Sequence, residues 1–182
     1  MRVVGGSLRG RALKAPSSQA TRPTSDRLRE ALFNVLAHAY GDAADGARVL
    51  DLFAGTGALG IEAISRGAAF ALFVEEAVEA RALIRENVEA LGLTGTTRIF
   101  RRDATKLGDC PPGDAYSLIF CDPPYGKSLA EAALLSARQG GWLAPDALVV
   151  VEEKAGAFVV PDGFEVLEQR RYDETELTFL GV

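Results

Sequence analysis

Between Arg48 and Glu152 five short apolar runs are spaced by segments of helical periodicity, and this alternation limits the possible folds more than any other feature. The runs are Arg48–Phe53, Phe70–Glu75, Thr97–Arg101, Tyr116–Cys121 and Ala147–Glu152. Helical spacing fills Ala58–Arg66, Val78–Leu91 and Leu129–Gln139. Short strands that are apolar throughout belong to a mostly parallel sheet covered on both faces. The tail differs. Phe164–Arg171 and Thr175–Leu180 are separated only by Tyr172-Asp173-Glu174, with no room for a helix, so they should close as an antiparallel hairpin.

The first forty residues read as an extension of this body. Val3–Val4 and Ala12–Leu13 flank glycines and suit a short hairpin, although the Gly, Pro and Ser content also fits a flexible arm. Thr24 is the expected N-cap of a helix, with Asp26 in its first turn and Leu28, Ala31, Leu32, Val35 and Leu36 on one face. That helix should end near Gly41. The expected boundary lies near residue 42, giving a basic extension over 1–41 and an α/β domain over 42–182.

Charge separates the same two parts. Residues 1–29 hold seven cations (Arg2, Arg9, Arg11, Lys14, Arg22, Arg27, Arg29) against one acid, Asp26. The segment is therefore +6 in a chain whose net charge is −5, leaving −11 on the remainder. A basic arm on an acidic body suits a polyanionic partner, although a solvated tail has the same composition. No apolar run reaches the ~20 residues that span a bilayer, and "MRVVGGSLRGR" lacks the apolar core of a signal peptide. Cys110 and Cys121 make neither a disulfide framework nor a metal cluster, so they read as reduced thiols of a cytoplasmic protein without a metal.

"VLDLFAGTGALG" joins a strand, a glycine turn and a helix start, with Gly55, Gly57 and Gly60 in G-x-G-x-x-G spacing. Glu75 ends the next strand twenty residues on, where an acid suits a ribose diol. That pattern alone admits a nicotinamide dinucleotide. Asp51, beside the loop, argues otherwise, because a carboxylate there would repel a pyrophosphate and attract the sulfonium of S-adenosylmethionine. Asp103 and Ala104, after the third strand, are placed to read an adenine edge. A capping role for Asp51, and ordinary loop roles for Glu75 and Asp103, stay open. "FCDPPYGK" ends the fourth strand in Asp122, two prolines and Tyr125. Two prolines freeze the chain as it leaves the sheet and so aim a carboxylate, a carbonyl and a ring at one target.

In this order the motifs resemble those of S-adenosylmethionine-dependent methyltransferases that act on amino groups, with the signature [DN]-P-P-[FYW]. The resemblance extends through "RGRALKAP", "TRPTSDRLREALFNVL", "VLDLFAGTGALGIEAISRGA", "FVEEAVEARALIRENVEAL", "RDA", "LIFCDPPYGK" and "VVVEEK". Taken together the chain resembles the bacterial 16S ribosomal RNA guanine-N2 methyltransferase family of RsmD type over nearly its whole length. Family members often have Ser at the position of Thr56, Asp at that of Ala77, and a glycine in the tail turn.

The resemblance implies a Rossmann-like class I methyltransferase with a seven-stranded, mostly parallel sheet and a reversed terminal hairpin. It implies S-adenosylmethionine as methyl donor, held by Asp51, Phe53, Gly55, Thr56, Gly57, Glu75, Asp103, Ala104 and Asp122. It further implies methylation of one guanine N2 amine in small-subunit rRNA, within an assembled or partly assembled particle. A monomer is the expected state of the chain. Such an amine is a poor nucleophile, because its lone pair is delocalised into the ring. Asp122 and the Pro123 carbonyl would accept its hydrogens, Pro124 would hold the turn, and Tyr125 would stack on the base. Arg9, Arg11, Lys14, Arg22 and Arg27 would hold phosphates. Three competing readings remain: a DNA adenine-N6 methyltransferase, an NAD-dependent oxidoreductase, and a catalytically silent RNA-binding protein.

Overall fold

The computed structural model describes residues 1–17 and 24–182. One seven-stranded sheet runs through the molecule in the order β3-β2-β1-β4-β5-β7-β6. The strands are β1 (Arg48–Leu52), β2 (Phe70–Val74), β3 (Thr97–Phe100), β4 (Tyr116–Cys121), β5 (Leu143–Lys154), β6 (Glu165–Tyr172) and β7 (Thr175–Gly181). The helices are α1 (Asp26–Ala39), α2 (Ala58–Ser65), α3 (Val78–Ala90) and α4 (Leu129–Gln139). The first five strands are parallel, and β7 is antiparallel to both β5 and β6. The chain winds outward from β1 in one direction and from β4 in the other. The C-terminal ends of β1 and β4 therefore flank the switch point, where open α/β sheets bind ligands.

Period-two alternation along the buried strands splits the apolar core between the two sheet faces. Val49, Phe73, Leu118, Phe120 and Val150 join Leu32, Phe33 and Leu36 of α1, Ile61 of α2 and Ile84 of α3 on one face. Leu50, Leu72, Ile119, Val149 and Val151 meet Ala130, Ala133, Leu134 and Ala137 of α4 on the other. Trp142 belongs to the second face. Its ring stacks near Tyr116 and Phe100, and its indole N–H donates to Gly108 O at 2.8 Å. A polar handle on a buried ring needs such a partner.

The N-terminal hairpin forms, with Arg2 opposite Ala12 and Val3 N–H donating to Arg11 O at 2.9 Å. It is stapled to the body. Val4 N–H and Gly5 N–H donate to the two carboxylate oxygens of Glu62, each at 2.9 Å, and Lys14 N–H donates to Asn87 Oδ1 at 2.7 Å. Val3 and Leu13 lie in the same apolar core as α1 and α2, so the extension shares the core of the body it covers.

Several boundaries differ from the sequence reading. Ser25, not Thr24, caps α1, its Oγ accepting from Leu28 N–H at 3.1 Å. β5 begins at Leu143, four residues before Ala147, because Leu143 pairs with Tyr116 ahead of a register shift. The exposed Pro145 and Asp146 at that shift hide the start of the strand from an apolar-run criterion. The turn of the terminal hairpin is two residues, Asp173-Glu174, between the paired Tyr172 and Thr175. Asp173 adopts φ +54°, a left-handed conformation that aspartate tolerates better than most residues.

Candidate active site

β1 delivers the chain into the glycine loop through Phe53, whose φ of +58° is unusual for an aromatic residue and marks local strain at the switch point. Gly55 and Gly57 follow at φ +61° and +81°, and Gly57 is the N-cap of α2. Gly60 answers a different need. A Cβ there would stand 2.4 Å from Cε1 of Phe73, so the helix can approach β2 only without a side chain.

The structure separates the residues of this loop. Asp51 is buried, and its Oδ2 accepts from Gly60 N–H at 3.0 Å. Burial pushes its carboxyl well above the usual aspartate range, the Gly60 bond opposes this, and the Glu75 charge adds to it. Asp51 and Thr56 do not line the cavity. Asp51 braces the first turn of α2, and the Thr56 carbonyl accepts from Asn87 Nδ2 at 3.0 Å.

A cavity of about 630 Å³ opens at the strand ends, bounded by Phe53, Gly55, Glu75, Asp103, Ala104, Asp122, Pro123, Pro124, Tyr125 and Glu152 among others. This is the size of a small-molecule site. Glu75 is built into it: Oε1 accepts from Gly55 N–H at 2.8 Å and Oε2 from Ala77 N–H at 2.9 Å. Each oxygen keeps a further lone pair for a ligand hydroxyl. Asp103 Oδ1 accepts from the backbone N–H and hydroxyl of Thr105, at 2.9 and 2.7 Å, and those bonds hold its carboxyl below the usual range. These carboxylates suit a ligand that carries a diol, amines or positive charge. Gly55, with no side chain, leaves the cavity wall open beside Glu75. The residues present therefore fit S-adenosylmethionine.

At the other side of the cavity Asp122 leaves β4. Burial of its carboxyl, with the neighbouring Glu152 charge, pushes its pKa well above the usual range, and a hydrogen bond from Thr24 opposes this. Thr24 Oγ1 lies 2.8 Å from Asp122 Oδ2 and 3.2 Å from Glu152 Oε2. Tyr125 OH lies 3.2 Å from Glu152 Oε1 and 2.7 Å from Thr175 Oγ1. Glu153 Oε1 accepts from Gly126 N–H at 3.2 Å, which fixes the turn after Tyr125. The D-P-P-Y turn is thus held from β5 by two consecutive acids.

Sequence reasoning missed Thr24, Glu152 and Arg102 as neighbours of this cavity. Glu152 carries a readable signal, since it ends an apolar run as Glu75 and Asp122 do. Thr24 carries none, because its contacts lie 98 and 128 residues away. Of the expected RNA contacts, Arg9, Arg11, Lys14 and Arg27 are exposed, while Arg22 lies outside the described residues. Arg11 Nη2 donates to Ala90 O at 3.2 Å and Lys14 Nζ pairs with Glu86 at 3.1 Å. Arg29, counted among the cations of the arm, is fully buried and paired with Asp26 and Glu62. Among the described residues no group of three or more His, Cys, Asp or Glu side chains is arranged to hold a metal, and no helix is long and apolar enough to cross a membrane.

The family model described as conserved hypothetical protein 95 matches residues 1–181. The ribosomal RNA small subunit methyltransferase D of Escherichia coli K12 is 39% identical over 154 residues, covering 85% of this chain and 75% of that protein. The protein of the same name from Haemophilus influenzae is 31% identical over 173 residues, covering 93% and 88%. Among solved structures, the Escherichia coli protein yhhF superposes with a TM-score of 0.83 at 32% identity, covering 99% of this chain and 96% of that one.

Proposed function

The chain belongs to the family described as conserved hypothetical protein 95, that of the ribosomal RNA small subunit methyltransferases D, and from that membership we propose that it methylates the N2 amine of one guanine in small-subunit rRNA. The observation that carries this reading is the shared cavity: Glu75 and Asp103 line one part of it and Asp122 with Tyr125 another. A donor and a flat base with an exocyclic amine can meet there.

S-adenosylmethionine, when bound, supplies a methyl group on cationic sulfur. The chain holds and aims its partner. Asp122 and the Pro123 carbonyl accept the two amine hydrogens, which localises the nitrogen lone pair and points it at the methyl carbon. A hydrogen bond to an ionised carboxylate is about twice as strong as one between neutral groups. Asp122 is placed to take the amine proton that the transfer would release, while the bound donor would keep the electron pair of its carbon–sulfur bond. Most of the acceleration comes from alignment, which supplies ~7–11 kcal/mol in favourable systems. Tyr125 stacks on the base, for about 1–3 kcal/mol.

A base inside a helix cannot reach this cavity, so the target guanine is single-stranded or flipped out. Arg9, Arg11, Lys14 and Arg27 hold the RNA backbone, with Arg22 assigned the same role from the sequence. The substrate is a small ribosomal subunit or an assembly intermediate. The enzyme works in the cytoplasm, as a monomer, with 1–41 as its RNA-binding part and 42–182 as its catalytic part.

Radiolabelled methyl transfer to naked rRNA, small ribosomal subunits and duplex DNA, followed by nucleoside analysis, tests this reading. N2-methylguanine in the ribosomal samples supports it. N6-methyladenine in the duplex would replace it with the DNA-methyltransferase alternative.

A further inference from the structure

We propose that Thr24, supplied by the N-terminal extension, is a positioning residue of the methyl-transfer site, its hydroxyl fixing the Asp122 carboxylate while Glu152 braces the pair. The proposal rests on the rRNA methyltransferase reading above.

Thr24 is nearly inaccessible to solvent, at 7% exposure. Its hydroxyl plays no part in starting α1, because Ser25 does that. A buried hydroxyl that is not capping a helix and has two carboxylates as neighbours is committed to them. A threonine hydroxyl has one proton to donate. The 2.8 Å contact to Asp122 Oδ2 is shorter than the 3.2 Å contact to Glu152 Oε2, so the proton goes to Asp122. The last torsion of an aspartate is soft and roughly two-fold. A hydrogen bond on one oxygen therefore decides which way the carboxylate faces.

Thr24 is itself held on both sides. Arg29 Nη1 donates to the Thr24 carbonyl at 3.0 Å, and Arg29 Nε reaches Glu62 of α2 at 3.2 Å. A continuous chain of contacts runs from α2 through Arg29 and Thr24 to Asp122. Glu152 extends it, since its other carboxylate oxygen meets Tyr125 OH. The acceptor for the amine and the ring beneath the base are thereby set relative to one another by side chains from three separate elements. The extension that binds RNA also completes the site that modifies it.

The test compares Thr24→Val, which keeps the shape and removes the hydroxyl, with Thr24→Ser, which keeps the hydroxyl. Misplacement of a reacting group by about 1 Å costs on the order of a hundredfold, so Thr24→Val should lower kcat on small ribosomal subunits by about 10- to 100-fold. KM and the affinity for S-adenosylhomocysteine should stay within about threefold, and Thr24→Ser should recover most of the rate. Glu152→Gln should also lower kcat, and the double variant should lose less than the product of the two, because both act through Asp122. Wild-type kcat in Thr24→Val, no recovery in Thr24→Ser, or strictly multiplicative losses would overturn the proposal.

A second readout does not depend on the RNA substrate. The Asp122 carboxyl faces Glu152 from β5, Asp51 from β1 and Thr24 from the extension. Loss of the Thr24 bond should move the 13C-carboxyl titration of Asp122 upward. An unmoved titration would sink the proposal even if the wild type methylates rRNA. An upward shift alongside an inactive wild type would sink only the functional reading.

Discussion

Arg29 and Glu62 meet at 3.2 Å with neither side chain exposed, and this pair locks the N-terminal extension to the methyltransferase body. Glu62 also accepts from Val4 N–H, Gly5 N–H and Arg66 Nε, each at 2.9 Å. Removing one partner of a buried pair strands the other charge, at a cost of about 3–5 kcal/mol. Glu62→Ala should therefore lower the melting temperature by roughly 6–20 °C. A calorimetric shift of less than about 2 °C would contradict this, since it corresponds to under ~1 kcal/mol.

Asp122 exchanges stability for chemistry. Its folded pKa is raised by burial and by Glu152, so the native state binds this proton more readily than the unfolded chain does. Its contribution to stability is therefore most favourable below the unfolded value of about 3.9 and is lost as pH rises through the folded value. Asp122→Asn should melt higher than the wild type at pH 8, with the gap closing as pH falls. The same variant should lose roughly a hundredfold in kcat through its weaker acceptor and altered alignment. A variant that melts lower than the wild type at pH 8 would show that the carboxylate supports the fold.

The pH dependence of transfer should report the Asp122–Glu152 pair as a unit. Protonated, Asp122 is a weaker acceptor for the amine hydrogen, so kcat should fall on the acid side at a pH well above the ordinary aspartate range. Glu152→Gln removes a charge that raises the Asp122 carboxyl, so its acid limb should move to lower pH. A limb that stays in place in single-turnover measurements would exclude the pair as its origin.

Glu75 holds the glycine loop with one oxygen, through Gly55 N–H, and the start of α3 with the other, through Ala77 N–H. Hydrogen bonds to a charged group contribute about 1.5–3 kcal/mol. Glu75→Ala should weaken binding of S-adenosylhomocysteine by about 10- to 150-fold. Calorimetric titration would measure this, and a Kd within about twofold of wild type would remove Glu75 from the donor site.

Arg9, Arg11, Lys14 and Arg27 are exposed on the extension. Neutralising a cation that holds a phosphate should reduce the slope of log affinity against log salt by about 0.7–0.9. Replacing all four should flatten the salt dependence of rRNA binding without changing S-adenosylhomocysteine affinity. An unchanged slope would place the RNA elsewhere.

The sheet was readable because its strands are short apolar runs between helices of clear periodicity. Tyr116–Cys121 runs as the apolar pattern predicts. Glu75, Asp103 and the D-P-P-Y turn were readable as acids at strand ends, where chain direction alone brings them to one edge. What stayed hidden depends on side-chain partners far away in sequence. Thr24 looked like a cap because nothing local reveals Asp122. Arg29 enters the net charge of residues 1–29 like any other cation, because a charge count does not show burial. For Asp51 the sequence leaves a cofactor role and a capping role open, and its bond from Gly60 N–H is of the capping kind.

Trp142 is the single tryptophan of the chain. Its indole N–H is tied to Gly108, five residues beyond Asp103 at the cavity rim. The protein therefore carries a built-in optical reporter: emission from one indole tracks both global melting and any rearrangement of the 103–108 segment when a nucleoside arrives, without an attached dye.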